Sequence, residues 1–500
     1  MGRASGAASS VILASMLCLW AGPALATEPP QSVDGDSNEL VRGHSREGYT
    51  TRRGLKNTTR MAAENRLNLR TGRLNFFAAQ ASAGLQVRGS RFIPVFPVRF
   101  SNTAAAPFAI ANLQQQLFDG PWPTGTMSDY YREVSYGSFG VSGRVLPWRT
   151  LAREDEYYEG ADTAEGPCNG MCGSDKVGDL LGEVFKLNDA ALDYTIYDND
   201  GPDNLPNSGD DDGYVDFVAV VQPEIGGECD LAQGTNRNIW SHRYSYKNIV
   251  GSDYETGDVG RNGAKIRIDD YVIVPALACD GSTMIQIGVF AHEFGHAFGL
   301  PDLYDTDKDN GESEGIGNWG LMGAGSWGGD NRSPERPSHM SAWEKAYLGW
   351  IRPATVSADN PSAHLHPIEQ HPEAFKVVVS PNEYYLIEYR RQIGFDRSLP
   401  GSGLLVWKIN QQVVDAGLHN NKVNADSMNK GVGLVEADGL RQLDLKLNRG
   451  DFGDMFRGAK NRPAFDAATE PASIKGALCA IGEAGDTHSF QLMMSRPRCP

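Results

Sequence analysis

The sequence predicts an α+β fold, a twisted sheet with one functional helix, followed by a smaller all-β domain at the C-terminal end. Three observations predict it. Apolar, β-branched runs at Arg91–Phe100, Gly213–Gln222 and Lys265–Leu277 are separated by helical patterns, as in a sheet with helices on its faces. A helix pattern bearing two histidines four residues apart follows the last of these runs almost at once. Beyond Trp350 the chain offers only short β segments between turns.

The first element is not part of the fold. Arg3, an apolar run from Val11 to Trp20 and the small-x-small triplet Ala24-Leu25-Ala26 make residues 1–26 a secretory signal. Its apolar core is too short to span a bilayer, and no later segment approaches the ~20 apolar residues a span needs, so no stable membrane insertion is expected. Residues 27–88 read as a propeptide or basic leader; between Thr27 and Asn75 there are nine basic and six acidic residues. The whole chain is acidic, with 46 Lys and Arg against 63 Asp and Glu and a net charge of −17. That balance excludes a nucleic-acid binder and suits an exported protein. Cys18 lies inside the signal. Six cysteines follow it, and an even count in an exported chain favours three disulfides; proximity along the chain suggests Cys168–Cys172, Cys229–Cys279 and Cys479–Cys499, one of the 15 connectivities that six cysteines permit.

Arg91–Phe100 alternates like a strand, and Pro94 and Pro97 direct it to a sheet edge. Ser128–Val145 reads as a short helix that ends near Gly137 and runs into a β segment, Gly178–Asp189 has helical spacing, and Gly213–Gln222 is a strand buried on both faces. Lys265–Leu277 is a further strand. In the helix that follows, Thr283 and Gln286 fit a capping box, and Met284, Ile287, Ala291, Phe294 and Phe298 form its core-facing stripe. Gly299 suits the left-handed residue that ends a helix, and Pro301 keeps the helix from resuming. Asp302 is thereby turned back towards His292 and His296, whose spacing puts both imidazoles on one helix face.

Two imidazoles and a carboxylate suit a catalytic zinc ion, which takes three protein ligands and keeps one position for a water of lowered pKa. Glu293, beside the first histidine, is placed to take a proton from that water and deliver it to a leaving amine, which is the chemistry of peptide hydrolysis. The acidic loop Tyr197–Asp216 predicts a structural calcium ion, with Asp198, Asp200, Asp210, Asp212 and Asp216 as donors. Asp305–Asn310 is a weaker pattern of the same kind. Ala437–Phe456, rich in glycine and aspartate, is read as a structured loop rather than an ion site.

HExxHxxGxxD at His292–Asp302, followed by NWGLMGAGSW at Asn318–Trp327, resembles the metzincin clan of zinc proteases. With SYGSFGVSG, NIWSHRYSY and PSHMSAWEKAYLGW, the chain is similar to the immune inhibitor A type of secreted bacterial metalloproteases. The likeness is strong over Arg91–Trp350 and looser through EYYLIEYRRQIGFDRSLPGSGLLVWKIN. It implies a metzincin-like zinc protease domain at 89–352, an all-β domain at 353–500, zinc ligands His292, His296 and Asp302, the general base Glu293, and Met322 as the Met-turn beneath the metal. An aspartate stands where the third histidine of most metzincins would be. Glu314 is the rival third ligand; it sits in a segment that reads as exposed loop. No tyrosine closely follows Met322, so none is assigned to the transition state. The resemblance further implies a zymogen secreted to the extracellular space, through the periplasm where the host has an outer membrane, and acting on protein or peptide substrates. The other class of function is a cell-surface or matrix-binding protein on an inactive protease fold.

Overall fold

The computed structural model describes residues 87–162, 167–172, 175–199, 203–209, 211–229, 236–307, 310, 313–329, 334–458 and 461–500. The predicted signal segment 1–26 and residues 27–86 of the predicted leader lie outside them, as do Asp200 and Asp210. The described chain opens at Val87, which is buried; its amide donates to Leu348 O at 3.1 Å and its carbonyl accepts the Trp350 indole at 2.7 Å.

β1, Gly89–Arg99, is the first predicted strand, but it lies inside its sheet instead of at an edge. It runs parallel to β2, Phe139–Val145, on one side and to β4, Val218–Ile225, on the other. The prolines are tolerated because of register. Pro94 precedes the ladder to β4, which starts at Val95, and Pro97 falls between the ladder to β2, which ends at Val95, and a short one to β3, Arg149–Thr150, which starts at Val98. Each ring sits where one neighbouring ladder is interrupted, so a missing N–H is accommodated.

Lys265–Leu277 forms two strands rather than one. β7, Lys265–Ile268, pairs with β6, Tyr254–Val259, in a separate ribbon; β8, Asp270–Leu277, continues the main sheet beside β4 and pairs antiparallel with β5, His242–Ser245. The break falls at Asp269, whose carboxylate accepts from Ser245 Oγ and the Lys247 amide.

Side chains alternate across this sheet with period two. Val95, Ala219, Val221, Val272 and Val274 enter one core, and Phe96, Val98, Val218, Val220, Tyr271 and Ile273 enter another. The first core is covered by α1, Met127–Val134, and by the histidine helix. The second is covered by α2, Val177–Asn188, through Leu180, Leu181, Val184 and Phe185.

After Trp350 the predicted short strands appear as β11, Phe375–Val378, β12, Glu383–Arg390, and β13, Gly403–Asn410, in a five-stranded sheet with β14, Val432–Leu434, and β9, Ala354–Thr355. A helix at Gln411–Gly417 interrupts the β pattern. Tyr384, Leu386, Leu405 and Trp407 join the same core as the histidine helix, while Tyr385, Ile387, Leu404 and Val406 face a third core. Arg390, wholly buried, pairs with Asp396 at 2.6 Å and donates to Trp319 O at 3.0 Å and His339 O at 3.3 Å. The three disulfides form as expected, at Cys168–Cys172, Cys229–Cys279 and Cys479–Cys499. Among the described residues, no helix is long and apolar enough to cross a membrane.

Candidate metal centre

α3, the histidine helix, spans Ile287–Ala297 and is buried throughout. It starts later than the sequence predicts: Gln286 is its N-cap and makes no side-chain cap bond, so the Thr283–Gln286 capping box does not form. Thr283 instead closes a turn on Asp280, whose Oδ1 accepts its amide at 2.7 Å.

The helix ends as expected. Gly299 takes φ +103°, a conformation that disfavours any side chain, and the amides of Gly299 and Leu300 bond back to His296 O and Gly295 O at 2.9 and 3.0 Å. This reversal aims Leu300 O at His296 Nδ1, 2.8 Å away, and returns Asp302 to the imidazoles. His292 Nδ1 donates to Leu321 O at 3.1 Å. With both Nδ1 hydrogens given to carbonyls, each neutral ring presents a bare Nε2.

Both Nε2 atoms face one oxygen. Asp302 Oδ1 lies 3.1 Å from His292 Nε2 and 3.3 Å from His296 Nε2. Two lone pairs and a carboxylate converging in a buried space repel one another unless protons or a cation lie between them. The separations match the ~3.3 Å edge of a tetrahedron with ligands ~2.0–2.1 Å from zinc, so these residues fit that metal. Without a metal charge, burial alone would lower the His292 pKa, but the hydrogen bond and charge of Asp302, with Glu293, raise it to about 9. Burial pushes Asp302 up, yet the two imidazoles hold it well below the usual carboxylate range.

Glu293 is buried, with a carboxylate oxygen within 4.8 Å of the imidazole nitrogens. Its Oε2 has no hydrogen-bond partner, and burial, offset by His292 and reinforced by Asp302 and Glu228, raises its pKa to about 8. Met322 lies against the helix: a Cβ on Gly295 would come 2.7 Å from its Sδ. Its amide donates to Glu344 Oε1 at 3.0 Å, and its carbonyl accepts from Leu303 N at 2.8 Å. Tyr304 stacks on His292 with ring centroids 6.4 Å apart.

Glu314 is not in an exposed loop. It is buried and pairs with Arg449 at 3.2 Å. Of the predicted calcium donors, Asp198, Asp212 and Asp216 are described, and among the described residues they do not form one of the clusters able to hold a metal. Asp198 Oδ2 accepts the Gly213 amide at 3.0 Å, and Asp216 pairs with Arg91 at 3.4 Å, so these two carboxylates brace the loop and β1. The Ala437–Phe456 segment is a structured loop, as expected, but one whose carboxylates converge with Glu436: Glu436, Asp438 and Asp454 are buried with oxygens within 4.8 Å of one another.

Sequence reasoning missed Asn421, 119 positions after Asp302. Its Nδ2 donates to Asp302 Oδ2 at 2.6 Å and its Oδ1 accepts the Asp302 amide at 2.8 Å. The only signal was its place in the asparagine-rich run LHNNKVNADSMNK, which spacing does not connect to the histidines.

Comparison with known proteins finds metalloproteases among the chain's relatives. Over 249 residues the chain is 30% identical to the pre-pro-metalloprotease PrtV of Vibrio cholerae serotype O1, covering 48% of this chain and 26% of that protein. Over 214 residues it is 34% identical to immune inhibitor A of Bacillus thuringiensis subsp. alesti, covering 41% of this chain and 29% of that protein. The matches thus span little more than a quarter of the length of these curated relatives. Residues 114–351, which hold the histidine helix, Asp302 and Met322, match the catalytic domain of the immune inhibitor A peptidases, family M6.

Proposed function

We propose that the protein is a secreted zinc endopeptidase that cuts extracellular proteins or peptides, with a metzincin-like domain at 89–352 and a β-rich C-terminal domain from Pro353. The observation that carries the reading is the meeting of two bare Nε2 atoms on Asp302 Oδ1, next to a buried Glu293 oxygen that bonds to nothing. His292, His296 and Asp302 would hold zinc, and Met322 would support the floor of the site. A zinc ion bound there supplies Lewis acidity for a scissile carbonyl and makes a nearby water easier to deprotonate. Glu293 Oε2 takes that water's proton and returns it to the leaving amine nitrogen, a role suited to a carboxylate that burial makes more basic. Leu321 O and Leu300 O keep each imidazole in the tautomer that turns Nε2 inward.

Unfolded casein incubated with the zinc-loaded protein, with and without a zinc chelator, tests the reading. Cleavage that the chelator abolishes is expected. Glu293→Ala should keep zinc and fold while losing at least ~100-fold in turnover; near-parental turnover would remove Glu293 from its role. No cleavage by the zinc-loaded parent would leave the binding-protein reading standing. Calcium in the 197–216 loop is supported by the loop's composition alone. It should raise the melting midpoint of the zinc-loaded protein without changing its turnover, and an unmoved midpoint would discard it.

A further inference from the structure

We infer that Asn421 is a positioning residue for the metal centre, so the working catalytic unit extends past the matched segment 114–351 to at least residue 432. The inference rests on Asp302 being the third zinc ligand. One Asn421 side chain holds both ends of that residue, its carboxylate Oδ2 and its amide, at 2.6 and 2.8 Å. Oδ1, the oxygen facing the imidazoles, is left for the metal, and rotation of the carboxylate breaks a hydrogen bond.

Asn421 is itself held. It adopts φ +55°, a conformation asparagine tolerates better than most side chains. Its carbonyl accepts from Thr306 Oγ1 at 2.7 Å. Its neighbours grip the same stretch: Asn424 Nδ2 donates to Leu303 O at 2.8 Å, Lys422 pairs with Asp307 at 3.2 Å, and Asn310 Nδ2 donates to Ala425 O at 2.7 Å. Asn424 also bonds both ways with Val432 of β14, which ties the loop to the C-terminal sheet. The chain after α3 therefore has one wall made by the helix and a second made by residues 421–425. A ligand carboxylate on a mobile loop would lose affinity to its own conformational freedom, and this second wall removes that freedom.

The test compares zinc dissociation constants, measured by competition with a chelating indicator, and melting midpoints of the metal-free proteins. Asn421→Gly removes both bonds and suits the positive φ. It should weaken zinc binding by ~10–100-fold, the usual effect of losing an outer partner of a metal ligand. Asn424→Ala loosens the same loop without touching Asp302 and serves as the structural control. It should lower the melting midpoint at least as much as Asn421→Gly but change zinc affinity far less. Should Asn421→Gly fail to fold, Asn421→Ser, which cannot span both ends of Asp302, is read in the same way. Parental zinc affinity in the Asn421 variants, or an equal loss in Asn424→Ala, would overturn the inference. Asp302→Ala is measured alongside: if that variant binds zinc like the parent, the ligand assignment itself has failed.

Discussion

Asp302 and Glu314 lie twelve residues apart and are both buried carboxylates, yet they occupy opposite electrostatic settings. Asp302 meets two lone pairs and an asparagine amide, and Glu314 meets the Arg449 guanidinium. Asp302→Ala should therefore weaken zinc binding substantially, by well over tenfold, with activity falling in step. Glu314→Ala should leave zinc content and turnover near the parent while destabilising the fold by about 3 kcal/mol, because the largely buried Arg449 guanidinium would lose this carboxylate. Metal analysis and denaturant melts of the two variants separate these outcomes, and the reverse order would transfer the ligand role to Glu314. Asp302 was legible because Gly299 and Pro301 force an early reversal. The burial of Glu314 was not, because its partner is 135 positions away and local polarity reads as solvent exposure.

At the scale of elements, the helix Asp155–Glu159 docks on the end of β4 and brings Glu159 against Glu224 and Asp155, with oxygens within 4.8 Å of one another. Burial, then the charges of Glu224 and Asp155, raise Glu159 from 4.5 to about 8. A carboxylate whose folded pKa lies above its unfolded value contributes stability that is complete below pH 4.5 and disappears as pH rises towards 8. Glutamine stays neutral throughout. Glu159→Gln should thus melt with the parent below pH 4.5 and at increasingly higher temperature than the parent towards pH 8; a constant offset across that range would show that Glu159 does not titrate this way.

Elements with a strong internal period were readable: α2, α3, β4 and the β12–β13 pair follow from their own apolar spacing. The errors lie where a partner decides. The prolines of β1 argued for an edge, but whether a missing N–H matters depends on where the neighbouring ladders start and stop. Asp269 divides an otherwise continuous apolar run because Ser245 and Lys247 supply it with donors from another segment. Thr283 leaves its capping role for Asp280, three residues before it.

For the whole molecule, the largest core cluster runs from Val87 to Met455 without a break at Pro353. Arg390 binds the carbonyl of Trp319, three residues before Met322, and Asn421 holds Asp302. A chain of residues 87–352 should accordingly lack the cooperative melt and zinc affinity of residues 87–500, since it would expose the strand faces that close its core. Near-ultraviolet circular dichroism and zinc titration of the two chains check this; a shorter chain that melts sharply and binds zinc as tightly would make the C-terminal region an independent appendage.

The reach of Arg390 and Asn421 back to the metal centre also sets a time order during synthesis. A nascent chain that has emerged as far as residue 351 carries His292, Glu293, His296, Asp302 and Met322, but neither Arg390 nor Asn421 has yet left the ribosome. On the proposed reading the site gains its final geometry only after residues 390 and 421 have also emerged. Until then the growing chain carries the histidines and Asp302 without the asparagine that fixes their carboxylate partner.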